Sequence, residues 1–125
     1  MIVSEHIGAI LTVTGVVTGL PIVQFLAPAF GLNALFKLAP PAEPGAFFAR
    51  HWGLMCGAVG GMLIYAGGHP EVRVVVVAGA LLEKAGLVAL IALAWREPHT
   101  KGMRLTIFFD GACSVIYAIW LLGLA

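Results

Sequence analysis

Four apolar runs of about twenty residues each dominate the chain: Ile7 to Phe30, Phe47 to Gly67, Val72 to Trp95 and Leu105 to Leu124. A helix rises about 1.5 Å per residue, so each run matches the ~30 Å hydrocarbon core of a bilayer. That core holds no water to satisfy backbone N–H and C=O groups, and the runs are too long and continuous for tilted barrel strands, so they read as helices. The expected fold is all-α: one integral membrane domain over residues 1–125, built as an up-down four-helix bundle.

Composition agrees. With 61% hydrophobic and 10% charged residues and a mean hydropathy of +1.02, the chain is too apolar for an ordinary soluble domain. The net charge is +1 and the basic residues are scattered, so no stripe exists for nucleic acid. The start, Met-Ile-Val-Ser-Glu-His, lacks a basic n-region and its apolar run outlasts a signal h-region, which makes the first segment a retained span. Cys56 and Cys113 sit inside apolar runs without CxxC or Cys/His spacing; they read as buried, inert thiols.

Breakers separate the spans: Pro40, Pro41, Pro44 and Gly45, then Gly67, Gly68 and Pro70, then Pro98 and Gly102. The second and third connections are short, so helices two, three and four should be sequential antiparallel neighbours. In the longer first connection, Asn33 to Leu38 is expected to form a short amphipathic turn in the interface. Pro21 should kink the first span. Lys37, Arg50, Arg96, Lys101 and Arg104 fall on one side and only Arg73 on the other. The positive-inside rule therefore predicts both termini on the non-cytoplasmic side, here of a bacterial inner membrane.

Small residues mark packing faces. Gly53, Gly57 and Gly61 recur every four residues in helix two, with Gly60 beside them; Gly15 and Gly19 repeat the spacing in helix one, and Gly79 and Gly86 lie on helix three. One such seam should meet a neighbour within the bundle and another serve a homo-oligomer.

Charges inside the spans are costly and carry the chemical interest, because a lone central charge costs about 2.5 to 3.5 kcal/mol on insertion scales. Glu83 and Lys84 lie mid-span and point about 100° apart, so they should face different neighbours, Glu83 into a tight contact beside Gly79 and Gly86. In helix four, Thr106, Asp110, Cys113, Ser114 and Tyr117 share one polar face. The expected polar network is Arg50, His51, Glu83, Lys84, Asp110, Ser114 and Tyr117, with the charges of Arg50, Glu83, Lys84 and Asp110 summing to zero. Two readings stay open: a structural ion-pair network that fixes helix register, or the lining of a cavity for a ligand, proton or headgroup. No HExxH, GxSxG, P-loop or i, i+4 histidine pair is present. Accordingly no catalytic residue, metal set or cofactor is expected.

Phe48-Ala-Arg-His-Trp-Gly53, His69-Pro70, the mid-helix Glu83-Lys84 and the Asp110 to Tyr117 stripe together resemble the small bacterial four-helix membrane proteins of the DoxX-like superfamily, over most of Phe47 to Leu122. The resemblance implies the four-helix architecture. Some relatives in that grouping are membrane subunits of quinone-linked oxidoreductases, although no redox motif here carries the activity across.

The leading expectation is an accessory or structural membrane protein that assembles with itself or with other membrane subunits. The alternatives are a carrier or binding protein for a small or lipid-like molecule, with a polar pocket between helices two, three and four, and a membrane subunit of a quinone-linked oxidoreductase.

Overall fold

A computed structural model describes residues 2–39 and 42–123. Pro40 and Pro41, named above as breakers, and Leu124, the expected end of the last span, lie outside the described residues. The described residues form six α-helices and two short 3-10 turns, with no strand among them: α1 (Ile2–Gly19), α2 (Ile22–Leu26), α3 (Pro28–Phe36), α4 (Gly45–Gly67), α5 (Arg73–Leu93) and α6 (Arg104–Leu121), the turns being Pro70–Val72 and Pro98–Met103. Four stretches are long and apolar enough to cross a membrane: Glu5–Leu26, Gly45–Gly67, Pro70–Leu93 and Thr100–Leu121.

Proline and its consequences shape the first span. Pro21 has no N–H and its ring crowds the carbonyl four residues back, so the regular ladder cannot pass through it. Leu20 N–H instead bonds the Val17 carbonyl in a tighter i−3 geometry, α1 stops at Gly19 and α2 resumes at Ile22. The expected kink is thus a full interruption. A second proline, Pro28, occupies the first turn of α3, where a missing N–H costs nothing. The stretch read from sequence as a separate turn, Asn33 to Leu38, begins inside α3, which ends at Lys37 in a left-handed conformation with its N–H on the Asn33 carbonyl. The helix is two-faced: Leu32 and Phe36 are buried and Asn33 is exposed. Phe36 packs on Trp52 of α4 with ring centroids 5.3 Å apart.

Glycine sets the tightest seam, between α1 and α4. A Cβ on Gly8 would lie 2.8 Å from the Gly67 carbonyl, one on Gly60 2.5 Å from the Gly15 carbonyl, and one on Gly53 2.5 Å from the Pro21 carbonyl. These pairs run in opposite senses along the two helices, which are therefore antiparallel. The spacing that counts is seven, not four. Seven residues turn a helix about 700°, within about 20° of two whole turns, whereas each four-residue step drifts about 40°. Gly53, Gly60 and Gly67 thus stay on the contact, Gly57 slides onto the Ile22 side chain, and Gly61 faces open space. Gly15 and Gly19 take part in the seam, Gly19 against Gly60. Gly79 and Gly86 of α5 have nothing near a Cβ position. Glu83 therefore does not share a tight helix contact with them.

The buried core comprises Ile7 and Leu11 of α1, Leu63 and Ala66 of α4, Val77 and Ala80 of α5, and Cys113 and Tyr117 of α6. These come from the first half of α1 and α5 and the second half of α4 and α6, so the core occupies one end of the bundle. Tyr117, fully buried, reaches across to the Thr14 hydroxyl. The Thr14 hydroxyl hydrogen is committed to the Ile10 carbonyl at 2.7 Å, so Tyr117 donates and Thr14 accepts. At the opposite end the helices splay around a cavity.

Candidate functional site: a cavity over a buried ion pair

The cavity has a volume of about 180 Å³ and takes its walls from the first span around its break and from α3, α4, α5 and α6. Val17, Thr18, Leu20 and Pro21 come from the interrupted first span, Leu35 and Phe36 from α3, and Trp52 and Cys56 from α4. Leu87 and Leu105 add to the apolar lining from α5 and α6. The break between α1 and α2 lies at the cavity, with Leu20 and Pro21 in its lining. Gly53 lets α4 come up against the break, since a side chain there would strike Pro21 and Gln24. Gln24, itself fully buried, donates from Nε2 to the Ala49 carbonyl at 3.1 Å and ties α2 to α4. Val17, Leu20 and Leu105 line the cavity yet are exposed, Leu105 at 81%. The cavity thus opens on the flank of the bundle between the Pro21 break and the start of α6.

The floor is polar. Lys84 Nζ lies 2.9 Å from Asp110 Oδ1, with side-chain exposures of 1% and 7%, and 4.8 Å from the centroid of the Phe109 ring. Lys84 belongs to the inward face of α5 with Val77, Ala80 and Ile91, and Asp110 to the inward face of α6 with Cys113 and Tyr117. Complementary periodicity on the two helices thus brings the charges together. A buried pair of this kind gains electrostatic strength from the low dielectric but also bears the desolvation of both ions.

Two of the lining residues carry a polar atom with no such partner. The hydroxyl oxygen of Thr18, a residue only 7% exposed, and Oε2 of Glu83 are both enclosed and meet no hydrogen-bond partner. Leaving such groups unsatisfied costs about 1–3 kcal/mol each, more when the group is charged. Gln24 Oε1, away from the cavity, is equally enclosed and unpartnered; the acidic and basic side chains of the lining are Glu83, Lys84 and Asp110, with Lys84 bonded to Asp110.

The remaining members of the sequence-predicted network lie elsewhere. Arg50 and His51 are exposed and border a shallow groove on the outside of α2 and α4 with Phe25, Leu26, Phe47 and Leu54. The reason is helical phase: α4 buries Gly53, Cys56, Gly60 and Leu63, and His51, two residues before Gly53, points about 160° away from it. With Arg50 outside, the expected set of four balanced charges is not assembled: Glu83, Lys84 and Asp110 line the cavity without it. Ser114 donates to the Asp110 backbone carbonyl at 2.7 Å, a local helix bond that leaves the Asp110 carboxylate untouched. Tyr117 belongs to the core through Thr14, not to the cavity.

Sequence reading missed Thr18, Trp52, Phe36, Leu87 and Phe109 as lining residues. A signal existed for Thr18, which lies one turn beyond Thr14 and on the same stripe as Leu11, both inward; for the aromatic and aliphatic walls there was none, since nothing distinguishes them from lipid-facing neighbours of the same type. Cys56, read as an inert buried thiol, is buried and contributes to the wall, whereas Cys113 sits in the core. No group of three or more His, Cys, Asp or Glu side chains able to hold a metal occurs among the described residues.

Compared with protein families, with curated proteins and with solved structures, the chain matches none.

Proposed function

We propose that this chain is a multi-pass protein of the bacterial cytoplasmic membrane, an up-down four-span bundle with both termini on the outer side, that binds a small amphipathic molecule in the cavity beside the Lys84–Asp110 pair. The observation that carries the reading is a single, mainly apolar cavity whose lining holds the Lys84–Asp110 pair together with Glu83 and Thr18. A lining that is apolar with a few convergent polar groups is the usual composition of a ligand site. A flank opening suits a ligand that arrives from the hydrocarbon phase and not from water. The bundle's outer surface is apolar, with Val75, Leu82, Leu93 and Leu105 pointing outward, as contact with lipid tails requires.

Native mass spectrometry of the protein released from mild detergent tests this. The wild type should carry a bound small molecule, and Leu87→Trp, which fills the cavity with an indole, should lose it while keeping the helical circular dichroism and unfolding midpoint within a small margin of the parent. A wild type that is empty when extracted from its native membrane, and that takes up no added toluene or benzyl alcohol, removes the reading.

A second reading, a subunit that assembles with itself or with another membrane protein, is favoured by the outer face of α5. Ala78, Gly79, Ala85, Gly86 and Ala89 are all exposed there, and small residues allow the close backbone approach on which helix association in membranes relies. Gly79→Leu with Gly86→Leu should dissociate such a complex in a cross-linking assay without altering cavity binding.

A further inference from the structure

The side of α4 that carries Arg50 and His51 outward has a pattern of its own. Phe47, Arg50, His51 and Leu54 stand at i, i+3, i+4 and i+7 and so share one face of the helix, and Phe25 and Leu26 of α2 complete a shallow groove with them. All six residues are exposed. No ion pair or side-chain hydrogen bond among the described residues engages Arg50 or His51, and no acidic side chain enters the lining. Resting on the membrane placement above, and independent of what fills the cavity, we propose that the groove holds an anionic phospholipid. Its phosphate accepts from the Arg50 guanidinium and the His51 ring N–H, and an acyl chain lies along Phe25, Leu26 and Leu54.

Depth and charge both constrain the occupant. Helix α4 starts at Gly45, which puts Arg50 about 7.5 Å and Leu54 about 13.5 Å into its span. The first span ends at Leu26, so Phe25 and Leu26 come to the same end. The groove thus begins where head groups meet hydrocarbon and runs inward from there, and the Arg50 stem is long enough to carry its head out to phosphate depth. A guanidinium is always charged and matches two phosphate oxygens at once, while an imidazole keeps an N–H to donate whether neutral or protonated. Phosphatidylcholine offsets its own phosphate with choline; phosphatidylglycerol leaves that charge to be met by the protein. One basic side chain near an anionic head-group layer is worth about five-fold in binding. An acidic protein segment would also meet the charge, but along Phe25, Leu26 and Leu54 it would bring backbone polar groups into hydrocarbon, where an acyl chain has none to satisfy.

Native mass spectrometry of the full chain ejected from nanodiscs made of equal parts phosphatidylglycerol and phosphatidylcholine, with identical acyl chains, reads the preference directly. Phosphatidylglycerol should be retained about five-fold over phosphatidylcholine. Arg50→Gln should bring the two to parity and His51→Phe should lower the ratio part of the way, whereas Lys101→Gln, which removes an exposed cation outside the groove, should leave it unchanged. The wild-type ratio needs no variant and stands as a test even where a substituted chain fails to fold. Equal retention of the two lipids by the wild type, or a loss in Lys101→Gln as large as in Arg50→Gln, overturns the lipid assignment and leaves the membrane placement standing. So does displacement of phosphatidylglycerol by inorganic phosphate, which would make the site one for a free anion, or a lipid-free dimer that Arg50→Gln dissociates, which would give the groove to a second copy. A chain that stays soluble without detergent and does not enter nanodiscs removes the membrane placement and the lipid assignment with it.

Discussion

Gly60 and Gly61 are consecutive residues in the second half of α4, and alanine should leave the protein less stable at the first than at the second. A methyl at Gly60 would lie 2.5 Å from the Gly15 carbonyl oxygen and 2.6 and 2.7 Å from the Gly19 N and Cα. All three atoms are backbone, so no side chain can swing aside. Restoring an ordinary contact of roughly 3.5 Å requires the two helices to part by about 1 Å, and a radial gap of that size forfeits a quarter to a half of each dispersion contact along the seam. Overpacking of this kind costs about 1–3 kcal/mol. Against it stands the higher helix propensity of alanine, worth about 1 kcal/mol. Gly60→Ala should therefore be neutral to destabilising by about 2 kcal/mol. At Gly61 nothing lies within 4 Å of the new methyl, the propensity term acts alone, and the variant should gain up to about 1 kcal/mol. Equilibrium unfolding by titration of sodium dodecyl sulfate into dodecylmaltoside micelles, followed by circular dichroism, reads both. Equal stabilities, or a Gly60→Ala protein more stable than Gly61→Ala, would refute the close approach of α1 to α4 and with it the seven-residue seam.

Other perturbations follow from the same contacts. Lys84→Met or Asp110→Leu alone leaves one buried ion unpaired and should cost about 3–5 kcal/mol, whereas the double variant should recover most of that loss; additive losses in the same titration would mean the two ions do not interact. Tyr117→Phe removes a donor and leaves Thr14 still bonded to Ile10, a loss of about 1 kcal/mol, while Thr14→Val strands the buried phenol and should cost about 1–3 kcal/mol; the reverse order would show that Thr14 is the donor between them. Alkaline phosphatase fused after the last helix should be active and green fluorescent protein at the same place dark if the charge asymmetry orients the bundle as proposed.

The parts of this fold that sequence reading reaches are those fixed by one-dimensional regularity. Unbroken apolarity over about twenty residues requires a helix wherever it lies in a bilayer, so the four long stretches and the helical class were legible. The Pro21 interruption was legible too, because a missing N–H acts locally. The Lys84–Asp110 pair was foreseen as one member of a larger set. Phase was not legible. Whether a glycine meets a neighbouring backbone depends on about 20° or 40° of drift per repeat, and a four-residue spacing looks as good as a seven-residue one until a partner helix is present. The same error put Arg50 and His51 inward, though α4 turns them out. The cavity lay beyond sequence reading because its walls come from residues far apart in the chain, on the first span, α3, α4, α5 and α6.

Arg73 has a role that bears on how the chain's charges should be counted. Its Nε and Nη2 donate to the carbonyls of Ala66 and Gly67, each at 2.8 Å, so the guanidinium of the next helix covers the last exposed carbonyls of α4 and opposes the negative end of its dipole. As the one Lys or Arg among the described residues at the end opposite Lys37, Arg96, Lys101 and Arg104, it still counts against the charge bias, because a guanidinium bonded to neutral carbonyls keeps its full charge. A lysine could not replace it, because one ammonium cannot present the rigid, planar two-pronged donor that spans consecutive carbonyls. One basic side chain is thus a structural clasp between successive helices, held there by what it closes and not by which side of a membrane it faces.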